Sequence, residues 1–394
     1  MPLPRVLVLV LAGGAGSRLE LLTERRAKAA VPFAGVYRLV DFPLSNCQRS
    51  TLDDVWVAVQ FNPASLFDHL AGGRPWDLDR TDGGLMTLPP HRGTEREGWS
   101  SGTADSLWRE ADLVRGFGAD ALVVLSADAV YRCDYREVVD AHLQAGAEVT
   151  AVTTEVEPEG ASRFGVVQVD GEALTGYAYK PERPEGGTVT TEVFVMDPRR
   201  VLDRLEGYAD EPGVEGLGDL GDRLLPDVVR DGGGLAHPLE GYWRDVGTVP
   251  AYWEANRDFL AADPPIDLDD PAWPIRSRGG LRSAATLLRG CEVEGSLVSG
   301  GARVAGSVRG SVLSPGVVVE PGASVVDSVL LPGVRVAAGA RVVRAVLDDR
   351  VRVGRGAAVG EEGGEVVLVG REAEVPAGSA VAAGARLPEP EQGR

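Results

Sequence analysis

The stretch SVLSPGVVVEPGASVVDSVLLPGVRVAAGARVVRAVLDDRVRVGRGAAV, residues 311–359, repeats itself when stepped by 17 residues. Val319, Val336 and Val353 align, as do Gly322, Gly339 and Gly356, Ala323, Ala340 and Ala357, and Val325, Val342 and Val359. Ser311 and Ser328, followed by Val312 and Val329, carry the repeat backwards. A Val-x-x-Gly-Ala unit of this length means stacked β coils, with valines filling a continuous interior and small residues fitting tight corners. The period predicts a parallel β-helix, placed at residues 281–394.

Outward from the repeat, the run DPPIDLDDPAWP (263–274) has four prolines and four aspartates, and residues 263–280 are read as a linker. No Phe, Tyr or Trp follows Trp273. Upstream, residues 1–262 form the other domain. There, apolar runs at Val6 to Ala12, Val55 to Gln60, Ala121 to Ser126 and Val149 to Thr154 alternate with helical patterns such as Ala104 to Gly116. That alternation predicts an α/β domain with a mostly parallel sheet covered on both faces. The β-helix resembles the left-handed kind of hexapeptide-repeat proteins. Many of those are acyltransferases that use a histidine base, but all four histidines here, His69, His91, His142 and His237, precede the linker. Scaffold, oligomer contact or regulation is the expectation for that half.

The 394 residues are enough for two or three domains, and 44% hydrophobic with 25% charged residues is an ordinary globular composition. A net charge of −19 repels nucleic acid, which is excluded as a partner, and a membrane bundle is excluded too. Three isolated cysteines, Cys47, Cys133 and Cys291, make no CxxC pair and fit a reducing compartment. Arg5 followed by Val6 to Ala12 could pass for a secretory signal, but the run is short and is read as a buried strand. A cytoplasmic protein is expected.

The segment LAGGAGSRL (11–19) puts Gly13, Gly14 and Gly16 just after that strand, where successive N–H groups can cradle a phosphate. It is neither the dinucleotide fingerprint, because Leu19 stands where a third small residue is needed, nor a P-loop. Arg18 and Lys28 follow as cations for the same anion. Lys28 and Lys180 are the only lysines in the chain, and a compact ammonium is not replaced by a guanidinium at a pointed phosphate contact. Asp128 lies beyond Ala121 to Ser126, at the strand end where α/β sheets place ligands, and Asp245 lies in YWRDVGT (242–248). Two carboxylates from distant segments can hold one Mg²⁺.

The run LAGGAGSRLELLTERRAKAAVPFAGVYRLVDFPLSNC (11–47), with SGTADSL (101–107), VVLSADAVY (123–131), RFGVV (163–167), YKPE (179–182) and YWRDVGTVPAYWEAN (242–256), resembles the bacterial ADP-glucose pyrophosphorylases, or glucose-1-phosphate adenylyltransferases. The likeness continues into residues 311–334. It implies a Rossmann-like nucleotidyltransferase domain followed by a left-handed β-helix. It also implies a reaction in which a sugar-1-phosphate oxygen attacks the α-phosphorus of ATP, with Mg²⁺ as cofactor and a homo-oligomer, a homotetramer, as the assembly. By the resemblance, Arg18, Lys28, Asp128 and Asp245 are catalytic, and the two aspartates hold the metal. Gly13, Gly14, Gly16, His91, Gly102 and Thr103 bind the nucleotide. Ser100, Gly165, Tyr179, Lys180, Thr190 and Glu192 bind the sugar phosphate, and Arg25 and Arg38 are the candidate effector residues.

Several positions depart from the family pattern. Ala29 replaces a proline, Ser100 and Ser101 replace Tyr and Arg, and Ala127 and Ala129 flank Asp128 where the family has Gly and His. Tyr179 replaces a glutamate, Thr190-Thr191-Glu192 replaces Ser-Met-Gly, and His91 stands for an adenine-reading glutamine. Two alternatives therefore stay open: a sugar-1-phosphate nucleotidyltransferase of altered sugar or base choice, and a catalytically weak regulatory subunit that partners an active homologue.

Overall fold

The computed structural model describes residues 3–14, 16–90, 98–280 and 282–389. Its contacts group the chain into two compact units, Met1–Ala15 with Phe42–Trp243, and Gly16–Asp41 with Arg244–Arg394.

The first unit is built on a nine-stranded sheet. Its strands are β1 (Val6–Ala12), β2 (Asp54–Val59), β3 (Gly84–Leu88), β4 (Ala121–Ser126), β5 (Val149–Glu155), β6 (Gly165–Asp170), β7 (Ala173–Tyr179), β8 (Thr188–Met196) and β9 (Gly234–Pro238). Across the sheet they run β3-β2-β1-β4-β8-β5-β9-β7-β6. Only β7 and β8 oppose the others in direction, so the sheet is mostly parallel as the alternating pattern predicts. The central strands are apolar on both faces, with Leu7, Val8, Leu9 and Val10 of β1 and Leu122, Val123 and Leu125 of β4 fully buried. Such runs belong to parallel strands covered by helices. One covering helix, Pro198–Ala209, inserts Val201, Leu202 and Leu205 into the same core. In register, Ala12 faces Val59 and Leu11 faces Ser126, so β1, β2 and β4 end side by side at one edge.

The second unit contains three six-stranded parallel sheets wound as a β-helix. Val319 pairs with Val336 and Val336 with Val353, the 17-residue step of the sequence. The neighbouring steps differ. Val304 pairs with Val319 after 15 residues and Val353 with Val375 after 22, the longer coil taking up the segment around Gly360 and Gly363. Val304, Val319, Val336, Val353 and Val375 form a buried stack. The aligned serines form a second ladder: Ser311 Oγ accepts the Ser328 N–H at 3.0 Å and Ser328 Oγ the Ala345 N–H at 3.1 Å. A buried hydroxyl thus satisfies the next coil where the strand hydrogen bonds stop.

Candidate active site

At the carboxyl edge of the sheet, Gly13, Gln60 and Asp128 follow β1, β2 and β4. A Cβ at Gly13 would lie 3.5 Å from Gln60 Oε1, and Gln60 Nε2 donates to the Ser100 carbonyl at 3.1 Å. Half-buried Asp128 accepts from the Ser126 hydroxyl at Oδ1. Beside this edge lies a small, open cleft lined by residues including Gly13, Gln60, Pro89, Ser100, Arg109 and Glu110. Gly14 is exposed, with nothing within 4 Å of an added Cβ.

Gly102 opens the helix Thr103–Arg109, and a Cβ there would lie 2.2 Å from the Gly218 carbonyl carbon. Only glycine permits that approach, which brings in Asp219. Asp219 Oδ1 accepts the Thr103 N–H at 3.0 Å, and Oδ2 accepts the Tyr179 hydroxyl at 2.7 Å. Lys180 Nζ donates to the same Tyr179 hydroxyl and lies 3.9 Å from Asp219 Oδ2. Burial, with the carboxylates of Asp219 and Glu192, pushes the Tyr179 phenol well above its ordinary value, so it is a neutral donor. Gly165 leaves room for a second phenol: a Cβ there would lie 2.4 Å from the Tyr177 hydroxyl, which hydrogen-bonds Thr190. Glu192 is exposed at an irregularity in β8 with φ +61°, and its charge raises both phenols.

Ser100, assigned to the sugar phosphate, lines the cleft with Gly13, whereas Thr103, assigned to the nucleotide, joins Lys180 through Asp219. The physical reason is the turn at Gly102, which sends the residues on its two sides to different neighbours. The sequence alone does not single out Gln60, Tyr177 or Asp219. A polar residue closing an apolar strand could have flagged Gln60; nothing local marks the other two. His91 lies outside the described residues.

In the second unit, Gly16 has φ +67°, and a Cβ there would lie 2.9 Å from Thr23 Cγ2 and 3.2 Å from Lys28 Cβ. The Thr23 hydroxyl donates to the Gly16 carbonyl at 2.9 Å, closing the segment into a loop with Lys28 against its glycine. A Cβ at Gly247 would lie 2.7 Å from Asp245 Oδ2 and 3.3 Å from Arg18 Nη2, so a carboxylate and a guanidinium converge over bare backbone. Of the candidate effector residues, Arg25 is exposed with Nη1 3.7 Å from Glu372 Oε2. Arg38 donates its backbone N–H to Asp41 at 2.7 Å; burial lowers its guanidinium pKa, Arg26 adds to that, and Asp349 and Asp41 oppose it.

Comparison with known proteins gives the family. The nucleotidyl transferase family model matches residues 7–262. Glucose-1-phosphate adenylyltransferase of Clostridium botulinum (strain Alaska E43 / Type E3) is 36% identical over 324 residues, 82% of this chain and 83% of that protein. The enzyme of the same name from Thermotoga neapolitana is 39% identical over 326 residues, 81% of this chain and 76% of its own. That from Clostridioides difficile (strain 630) is 35% identical over 324 residues, covering 82% and 84%. The chain belongs to the glucose-1-phosphate adenylyltransferase family. A second model, GlmU-like C-terminal hexapeptide, matches residues 284–365, so the β-helix is the left-handed hexapeptide type. Among the described residues no helix is long and apolar enough to cross a membrane.

Proposed function

We propose that this family member transfers the adenylyl group of ATP to glucose 1-phosphate, releasing ADP-glucose and pyrophosphate for glycogen or a related α-glucan. The observation that carries the reading is the placement of the two lysines. Lys28 abuts Gly16 of the glycine-rich turn, and Lys180 sits with Asp219 and Tyr179 in a polar cluster. The sugar-phosphate oxygen attacks the α-phosphorus in line as the bond to pyrophosphate breaks. The protein contributes orientation and fixed charge. Arg18 and Lys28 neutralise the triphosphate; Lys180 holds the sugar phosphate, and Asp219 accepts from sugar hydroxyls.

Magnesium is proposed as cofactor, supplying charge neutralisation at the phosphates. The donor chemistry fits, since Asp128 and Asp245 are half-buried carboxylates, each in a motif of the family. Among the described residues no three His, Cys, Asp or Glu side chains could hold a metal by themselves, so the ion would take further oxygens from substrate and water. The domain limits 1–262, 263–280 and 281–394, and assembly as a homo-oligomer, belong to this proposal. So does a cytoplasmic location, supported by the free thiols of Cys47, Cys133 and Cys291.

A second reading, altered sugar choice, is favoured by one observation: the Tyr179 hydroxyl already occupies Asp219 and Lys180. Pyrophosphate release, measured with a matrix of nucleoside triphosphates and sugar 1-phosphates plus Mg²⁺, tests both. The proposal expects ATP with glucose 1-phosphate to be fastest. Preference for another sugar selects the second reading, and no release from any pair overturns both.

A further inference from the structure

The segment that carries Arg18 and Lys28 is fastened to the β-helix at three points. Glu20, two residues after Arg18, takes a guanidinium fork from Arg386: Nε donates to Oε2, and Nη2 to Oε1 at 3.1 Å. Arg386 is held in turn, because its Nη1 donates to the carbonyls of Val366 at 2.9 Å and Gly384 at 3.0 Å. Leu21 is buried, and a Cβ at Gly370 would lie 3.3 Å from its Cδ1. Arg26, two residues before Lys28, is buried and donates from Nη2 to Asp348 Oδ1 at 2.7 Å and to Asp349 Oδ2 at 3.1 Å.

Two features mark these contacts as more than packing. Glu20 has φ +53° and ψ −127°, a conformation that favours glycine and that an L residue keeps only where its surroundings impose it. The carboxylates that hold Arg26 stand where the coil repeat is broken. Stepping by 17, Leu331-Pro332-Gly333 becomes Asp348-Asp349-Arg350, so the small Pro-Gly corner is given up. Arg350 retains the corner's left-handed backbone at φ +59°, beside +76° at Gly316 and +77° at Gly333.

We propose that the β-helix is a positioning frame for the triphosphate cations: Arg386 through Glu20 fixes Arg18, and Asp348 and Asp349 through Arg26 fix Lys28. None of these five need touch substrate; they are positioning residues. This inference rests on Arg18 and Lys28 meeting the triphosphate. A bidentate arginine fork defines direction as well as attraction, so its loss misplaces a cation without removing it.

The test uses the full chain carrying Arg386→Gln. The KM for ATP should rise roughly 10-fold while that for glucose 1-phosphate stays within about twofold. Arg386→Lys, which keeps one charged contact to Glu20, should recover part of the loss. Amide hydrogen exchange over residues 17–28 should quicken in Arg386→Gln while the strand Arg341–Val343 keeps its protection. If Arg386→Gln does not fold, Glu20→Gln, which leaves the Arg386 contacts to carbonyls in place, carries the same expectations. Equal shifts of both KM values, or unchanged exchange over 17–28, would overturn the frame. A wild-type chain without ATP-dependent turnover would overturn the functional reading alone, and the exchange measurement would still decide the frame.

Discussion

The nine-stranded sheet and the β-helix both rest on parallel strands lined with valine and leucine, but they arrange chemistry differently. In the sheet, β6 and β7 form a hairpin, but the strands of the central parallel part that pair are far apart in sequence, and each junction there is a new loop. Gly13, Gln60 and Asp128 therefore reach one edge from three unrelated segments. In the β-helix each coil lies on the one before, so its register is local and its surface repeats. A repeat of that kind gives a stack of valines and a ladder of serines, but it presents no unlike groups to one point. Where the β-helix does act on specific partners, at Asp348, Asp349 and Arg386, it does so off the 17-residue pattern.

The largest test of this contrast pairs a substitution from each region. Asp128→Asn keeps shape and removes the charge at the sheet edge, and should lower Mg²⁺-dependent turnover by about 100-fold or more, the scale of losing one preorganised electrostatic partner. Ser328→Ala removes a rung of the serine ladder and should leave turnover near wild type while lowering the thermal midpoint. Steady-state pyrophosphate release and thermal melts check the pair. Comparable turnover losses in both would erase the contrast.

The same contrast explains what could be read from the chain in advance. Val319, Val336 and Val353 announce their pairing because sequence distance equals coil length, and the alternating upstream pattern announces an α/β sheet. The 15- and 22-residue coils escape the pattern because no period survives a deletion or an insertion. Of the candidate residues, Lys28 and Lys180 stand out by rarity, Asp128 by its position after a strand and Asp245 by the YWRDVGT motif. Asp219 does not: it reaches Tyr179 and Thr103 only because two glycine-containing turns, at Gly102 and Gly218, can touch. Likewise Glu20 and Arg386 are ordinary surface types until the fold brings residues 366 apart into one fork.

Acid should separate the two regions by sign. Burial lowers the His142 imidazole to about 4, outweighing Asp197, and its Nδ1 lies 2.9 Å from Thr150 Oγ1. Unfolded, the ring binds a proton near 6.5, so between about pH 6.5 and 4 the unfolded state holds more protons and stability falls with pH, by about 3 kcal/mol in all. Asp348 behaves oppositely: burial raises its carboxyl despite Arg26, so acidification through its folded pKa toward the unfolded value relieves a penalty. Hydrogen exchange from pH 7 to 4.5 should loosen the helix Tyr135–Ala145 well before the coils around Asp348. His142→Gln should flatten the first slope. Loss of protection in both regions together would mean that other groups govern the acid response.

The smallest effect concerns Tyr179, which stands where the resemblance implies a glutamate. Its hydroxyl donates to Asp219 and accepts from Lys180, so both groups are engaged before a sugar phosphate arrives. Binding must displace these bonds or work around them, and either lowers affinity without touching the triphosphate. Tyr179→Phe keeps the ring that packs against Gly221, where a Cβ would lie 2.2 Å from Tyr179 Cδ2, and removes only the hydroxyl. Freeing a charged acceptor and an ammonium should lower the KM for glucose 1-phosphate roughly 5-fold, the scale of about one net hydrogen bond, with the KM for ATP unchanged. Substrate titrations of the variant check this. A raised KM would instead make the hydroxyl a ligand of the sugar, and the phenol would then be a feature by which this chain reads its substrate.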